Sequence, residues 1–506
     1  MGDDPAIIRV GGREYHRRRI LVVLLIPLSM SLMAVSSINV ALPTIETGLG
    51  ASPADIQWVL AGYALTFGVS LIPAGRAGDL FGRGSVFVAG LAVFTLASLA
   101  SGLAGSPVQL NLARFVQGVG SGMFSPQMTG MIQQYFSGFA RAKAYALFGM
   151  VVSASVAVGP VLAGAIIEAI GPANGWRASF FLNVPIGIAG IALAFAWFPF
   201  AQERAALRRR RERRAARASG HAHHERARVD LDPVGALLVG LAVLAVMWPF
   251  ISRTGGLAWL LPLAGLALGA LWIWWERRYE RRGREPMVNL ELFSFRSFTN
   301  GTAVAGTLFL GATSLFAVLA ILLQSGLGAS ALMTGLVTLP NAVVSAFASW
   351  RAGRLALTRG RPLIVVAIAA MIVGTLATVV VVRGVDAGAN LWWLALPIAL
   401  IGWGQGTMGA ANQTLSFEDV PAHYGGTAGG VKQTAERIGT AVGTAMVTAV
   451  FFTVSADEGF VTGFAWAYAV IAVALTLALL LAVRDMRAAR REPPQTGRWP
   501  GVSSRS

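Results

Sequence analysis

The chain has 506 residues, 55% of them hydrophobic and only 13% charged, with a mean hydropathy of +0.62. That balance is too apolar for an ordinary soluble protein and places the chain in a bilayer. Cysteine is absent, which excludes disulfides, thiolate catalysis and thiolate metal sites, whereas the net charge of +17 leaves nucleic acid to be tested as a partner.

Apolar runs of about 20 residues, the helical length that crosses a ~30 Å hydrocarbon core, recur along the whole chain. Helices are the expected element, because lipid offers no water to backbone polar groups. The predicted spans are near 20–42, 54–75, 86–105, 108–133, 144–170, 179–199, 233–252, 257–275, 298–323, 332–350, 363–383, 391–416, 427–454 and 459–483, about fourteen in all. The first is long enough to span and lacks a small-residue cleavage site, so no cleavable signal peptide is expected.

Basic residues fall in every second gap: Arg9, Arg13 and Arg17 to Arg19; Arg76 and Arg83; Arg141 and Lys143; Arg204 to Arg228; Arg277 to Arg296; Arg351 to Arg361; and Arg484 to Arg498. The alternate gaps carry Glu46 and Asp55, or Asp457 and Glu458, with Arg177, Arg253 and Arg383 as exceptions. By the positive-inside rule both termini are cytoplasmic, as an even number of spans requires, and the charge belongs to a cell membrane protein rather than a nucleic-acid binder.

The expected domains are a cytoplasmic segment 1–19, a six-helix bundle 20–200, a basic linker 201–232, two additional helices 233–276, a cytoplasmic loop 277–297, a second six-helix bundle 298–484 and a tail 485–506. Arg208 to Arg211 in the linker would touch anionic lipid head groups, each contributing about 1 kcal/mol. His221, His223 and His224 follow; metal binding there is the lesser reading, since no cysteine or spaced carboxylate completes a site.

A repeat divides the chain. Residues 75 to 83 read Gly-Arg-Ala-Gly-Asp-Leu-Phe-Gly-Arg between spans two and three, and the pattern returns as Gly353 to Arg361 between spans ten and eleven, with Leu357 where Asp79 stood. A weaker echo joins Gly118-Val-Gly-Ser-Gly in span four to Gly404-Gln-Gly-Thr-Met-Gly in span twelve. The latter also fits a dinucleotide-binding turn, but no strand precedes it. The plan is six plus two plus six, and parallel repeats of this kind are one transporter architecture, with substrate held near the midplane.

On these residues the chain resembles the major facilitator superfamily, and within it the fourteen-helix drug:proton antiporters. Gly75, Arg76, Asp79, Gly82 and Arg83 look like the family's first-loop motif, with Leu80 and Gly84 at positions that are commonly basic. Arg114 matches the membrane-embedded arginine of span four, and Gly159, Pro160 and Gly164 resemble the antiporter motif of span five, with Ala163 at a usual glycine. Further matches are Asn39-Val-Ala-Leu-Pro, Trp176-Arg177 with Asn183-Val-Pro-Ile-Gly, and Asn289-Leu-Glu-Leu-Phe.

The resemblance implies an all-α membrane protein of two pseudo-symmetric bundles. It implies export of small hydrophobic or amphipathic molecules driven by the proton motive force, with no cofactor, no metal and no enzymatic activity, and a monomer. It assigns Asp79 to a lock on the outward-facing state; the bland alternative is a solvated turn with exposed ion pairs. An arginine within a span is costly, so Arg114 is a candidate for proton coupling, against a snorkelling side chain near the helix end. Gly159, Pro160 and Gly164 can bend span five and admit a close neighbour.

In span thirteen Lys432 and Glu436, four apart on one face, can neutralise one another beside Arg437; Glu436 is either a second proton site or part of a structural ion pair. Candidate cavity residues are Asn39, Tyr63, Phe67, Gln117, Phe124, Asn341, Trp403, Gln405, Asn412 and Gln413, each equally able to serve helix packing. Related drug antiporters often carry an acid in span one, and this chain has Ala34 there, which puts cationic cargo in doubt. A lipid, metabolite or peptide exporter or flippase on the same fold is the first alternative; a membrane enzyme or sensor retaining the scaffold is the second.

Overall fold

The computed structural model describes residues 6–200, 203, 232–252 and 260–491. The basic linker with its histidines, Arg253 and the tail beyond 491 lie outside the described residues, as does the side chain of Arg354. The chain opens on an antiparallel hairpin, β1 (Ile7–Val10) and β2 (Arg13–His16), in which Val10 pairs with Arg13. Gly11 and Gly12 make its two-residue turn at φ +58° and +79°, as a primed turn requires.

Helices follow: α1 (Arg17–Leu49), α2 (Pro53–Phe81), α3 (Arg83–Leu103), α4 (Pro107–Tyr135), α5 (Gly138–Ile170), α6 (Pro172–Phe181), α7 (Asn183–Trp197), α8 (Pro233–Ser252) and α9 (Leu261–Arg281). After them come α10 (Arg296–Ala312), α11 (Ser314–Ile321), α12 (Ala331–Arg359), α13 (Arg361–Asp386), α14 (Ala395–Ser416), α15 (Gly425–Glu458) and α16 (Phe460–Arg491). Eleven helices among the described residues are long and apolar enough to cross a membrane. The expected spans four, eight and twelve are also helical, as α4, α9 and α14, but are not among those eleven.

One apolar cluster is built mainly from the earlier helices, with Ile20, Phe87, Phe94 and Phe124, takes in Val239 and Met247 of α8, and reaches across to Phe298, Phe417, Ala428 and Val431. Another is built wholly from the later helices, from Val304 to Ala482. The helices α2 and α4 pack against α15, while α5 packs against α12 and α14, so the two parts meet along paired helices. The helix α8 lies against both α2 and α15, with Trp58 and Trp248 rings 5.2 Å apart.

Glycine sets the loop on which the candidate site stands. Gly82 adopts φ +103° and is at once the last cap of α2 and the first of α3; Gly360, at φ +55°, does the same between α12 and α13. Both reversals use backbone that side-chain-bearing residues rarely adopt.

Candidate functional site: a loop carboxylate on a helix amino terminus

Asp79 sits on the last turn of α2 and points across to the first turn of α15. Its Oδ2 accepts from the Thr427 amide and from the Thr427 hydroxyl, each at 2.8 Å, and its Oδ1 accepts from the Gly426 amide at 3.2 Å. Free amides at a helix start carry partial positive charge, so a buried carboxylate there is held by both hydrogen bonds and the helix dipole.

Arg83, only 2% exposed, completes the site. Its Nε and Nη2 donate to Asp79 Oδ1 at 2.9 and 2.6 Å, Nη1 donates to the Gly130 carbonyl at 2.6 Å, and Nη2 reaches the Ala422 and His423 carbonyls at 2.6 and 3.1 Å. The pair thus clasps α2, α3, α4 and the approach to α15, and is buried rather than an exposed turn. Glu203 accepts from the Ser85 amide at 2.9 Å, capping α3 beside Gly82, and Arg76 donates to Glu285 at 2.8 Å.

Close approach makes the clasp possible. A Cβ on Gly75 would lie 2.5 Å from the Gly426 carbonyl oxygen, and one on Gly430 would lie 2.5 Å from that of Leu71. Gly78 accommodates the Gln127 side chain, whose Nε2 donates to the Ala74 carbonyl at 2.7 Å. On the other seam Gly353 packs on Ala142 and Ala146, and Ser153 bonds Ser345 at 2.8 Å. Together with Ser125 to Gln433 at 2.5 Å, the glycine contacts lie nearer the end where α1 begins and α16 finishes, and the Ser153–Ser345 bond lies at mid-length of α5 and α12.

The second loop copy differs in kind. Arg361, in the place corresponding to Arg83, donates to Asp485 of α16 at 2.6 Å, and Asp485 also accepts from Asn300 at 2.6 Å. Its charge is therefore used inside the second bundle, while exposed Leu357 occupies the acid's place.

Deeper in the first bundle, Arg114 is 1% exposed, so it does not snorkel. It donates to the Val59 carbonyl at 3.0 Å and to Gln117 at 2.6 Å, and Gln117 donates onward to Ser98 at 2.6 Å. The Arg114 guanidinium lies 4.5 Å from the Tyr63 ring centre, Tyr63 is stacked 6.1 Å from Phe67, and Arg437 covers Phe67 at 4.6 Å. Two aromatic rings one turn apart on α2 thus stand between a cation of the first bundle and a cation of α15, each cation–π contact being worth about 0.5–2 kcal/mol.

Some expectations meet other partners. Lys432 donates to Gln413 at 2.6 Å and lies over Phe417, and it makes no ion pair with Glu436 among the described residues: a side chain from α14 captures the amine. Asn341 donates to Gln405 at 3.2 Å, a bond between α12 and α14. Asn39 is exposed and Trp403 half-buried. Phe124 and Asn412, expected along a cavity, are instead spent within their own bundles: Phe124 meets Phe87 and Phe94 edge-on, and Asn412 donates to the Gly301 carbonyl at 3.0 Å. Of the span-five motif, Gly159 permits approach of Met33 and Ser36 from α1, whereas a Cβ on Gly164 would meet nothing; α5 stays one helix through Pro160. Ala34 is buried and lines a cavity of about 340 Å³ between α1, α5, α6 and α7, with Ser29, Ser37 and Asn183 as its polar edge.

Fold and site define an integral membrane protein whose two helical parts are fastened at one end. The chain belongs to the Major Facilitator Superfamily, whose family model matches residues 24–444. It is 31% identical over 444 residues to a probable actinorhodin transporter of Streptomyces coelicolor, covering 87% of this chain and 73% of that protein. It is 29% identical to the tetracenomycin C resistance and export protein of Streptomyces glaucescens (82% and 72% covered), and 31% identical to a puromycin resistance protein of Streptomyces alboniger (83% and 79%). The human organic anion transporter MFSD10 superposes with a TM-score of 0.62 at 14% identity, covering 92% of this chain and 99% of that one. The proton:xylose symporter XylE gives 0.62 at 14%, covering 92% and 95%. The family and these relatives are transporters rather than enzymes, and small molecules are the substrates this class implies.

Proposed function

We propose that this protein is a proton-coupled exporter of small hydrophobic or amphipathic molecules in the cell membrane, working by alternating access. In this reading both termini are cytoplasmic, the chain acts as a monomer, its division is six plus two plus six helices, and the basic linker rests on anionic lipid. The observation that carries it is the Asp79–Thr427 contact: a carboxylate on a helix amino terminus, fastening the two parts at one end, holds an outward-facing state and can be released. Relatives named for actinorhodin transport, tetracenomycin C export and puromycin resistance support an export role.

Arg114, tied to Tyr63 and through Phe67 to Arg437, would relay the charge state of one bundle to the other, with Glu436 as the proton carrier beside it. Buried cations shape the cargo as well. Buried Arg114 and Lys432 and half-buried Arg437 face a single acid, Glu436, in this region, and Ala34 supplies no charge from α1, so neutral or acidic amphipathic compounds are favoured over cations.

Inverted vesicles acidified by respiration test the reading. Neutral and acidic aromatic compounds should release protons and accumulate, and cationic dyes should do so weakly. Accumulation without proton movement would remove the coupling, and a preference for cations would remove the charge argument.

A further inference from the structure

The two helices inserted between the bundles carry buried acid that the transport reading does not use. Asp232 stands at the start of α8, where its Oδ1 accepts from the Gly235 amide at 3.0 Å and from the Trp275 indole at 2.9 Å. Glu276, on the last turns of α9 and one residue beyond the predicted span, is completely buried. Its Oε2 accepts from the Met287 amide at 2.9 Å, while its Oε1 has no hydrogen-bond partner. A Cβ on Gly235 would strike Asp232 Oδ2 and lie 2.9 Å from Glu276 Oε1, so both carboxyls converge on the same side of that glycine. The Trp272 indole N–H adjoins Glu276 as a side-chain donor.

The segment Glu276 holds is a strap. Glu285 accepts from buried Arg76 at 2.8 Å, Met287 and Val288 are buried in the first core, and Asn289 donates to the Tyr424 hydroxyl at 2.8 Å. Tyr424 adjoins His423, whose carbonyl receives Arg83. Residues 284–289 therefore run from the first loop motif on α2 to the foot of α15, across the seam that Asp79 closes. Of the ionisable side chains on the elements around Glu276, Arg76 bonds Glu285, Arg284 lies 5.4 Å from the Tyr279 ring centre and Tyr424 bonds Asn289. Asp232 is the charged group that bears on Glu276 among the described residues.

We infer that Asp232 and Glu276 form a proton-binding site at the foot of the inserted helices, and that the proton held there secures the strap over the seam. Two carboxyls sharing one buried site cannot both ionise without repulsion. Burial, and then the Asp232 carboxylate, push the Glu276 carboxyl up to about 7. With Glu276 neutral, its unpartnered oxygen region can carry the proton toward Asp232; with both ionised, α8 and the strap-bearing end of α9 are driven apart. That the strap then governs transport rests on the Asp79 reading, so the test observes the strap itself.

Full-length protein in nanodiscs would be followed from about pH 5 to about pH 9 by infrared absorption of protonated carboxyls and by amide exchange at 284–289, corrected for intrinsic rates. The wild type should lose a carboxylic-acid band near pH 7 as protection of the strap falls roughly tenfold. Glu276→Gln should lack the band and keep a pH-flat, protected strap, and Asp232→Asn should move the transition down by about one pH unit. A pH-independent strap in the wild type, a Glu276→Gln variant that keeps the wild-type response, or an unmoved transition in Asp232→Asn would each overturn the site. If export failed while these strap results held, the transport reading alone would fall.

Discussion

Asp79 and Thr427 are 348 positions apart, yet one carboxylate oxygen receives both the amide and the hydroxyl of that threonine at 2.8 Å. Asp79→Asn would set an amide N–H against these donors and against Arg83, removing charge-assisted bonds worth about 2 kcal/mol, enough to shift a two-state balance roughly thirtyfold. Export should fall at least tenfold, and spin labels placed on either side of the seam, readily done in a chain without cysteine, should report separation. Thr427→Val keeps the amide bond and should cost only about 1 kcal/mol, with Thr427→Ser restoring export. Equal loss in Asp79→Asn and Thr427→Val, with an unmoved seam, would point to misfolding instead.

Arg114 bonds Val59 and Gln117 from different nitrogens of one guanidinium while lying on Tyr63. Lysine is a point charge without that fork, so Arg114→Lys should leave one acceptor unsatisfied at about 1–3 kcal/mol and break the alignment with Tyr63. Substrate binding measured by quenching should persist within about threefold, while substrate-driven proton release disappears. Normal release in Arg114→Lys would take coupling away from this residue.

Glycines that look alike in the sequence differ in what surrounds them. Gly75→Ala would press a methyl group to 2.5 Å from the Gly426 oxygen, whereas Gly164→Ala meets open space. Overpacking of this kind costs about 1–3 kcal/mol, so Gly75→Ala should open the seam and depress export, and Gly164→Ala should leave both unchanged. Thermal unfolding and spin-label distances on the two variants would check this, and a silent Gly75→Ala would show that the seam is not tightly closed.

How much could be read beforehand depends on how far apart the partners lie. Asp79, Arg83 and their glycines are contiguous, and Arg114 is conspicuous in an apolar run, so both were legible as candidates. Their partners were not: Thr427 follows a glycine-rich stretch with no charge to mark it, and Glu203 and Glu285 lie in polar segments where any acid is unremarkable. The same limit explains Lys432, whose spacing favoured Glu436 until a neighbouring helix offered Gln413, and Phe124, because period alone does not say which neighbour an aromatic ring will meet. The hairpin at Gly11 and Gly12 did carry a signal, a glycine pair between short runs, obscured by the basic residues around it.

Glu276 makes the fold's stability depend on pH in a direction opposite to that of ordinary ion-paired acids. Its carboxyl is raised from 4.5 to about 7, mainly by burial and then by Asp232. Between those values the folded chain holds a proton that the unfolded chain has lost, so the stabilisation is complete below the lower value and declines as pH rises through the upper one. Wild-type protein should therefore unfold at a lower temperature at about pH 8 than at about pH 6, and Glu276→Gln, which cannot ionise, should flatten that decline and exceed the wild type at the higher pH. Scanning calorimetry at several pH values checks it. A wild type that gains stability across this window, or a Glu276→Gln variant with the wild-type slope, would mean that Glu276 is ionised where it is buried and that its charge is met by a partner other than a proton.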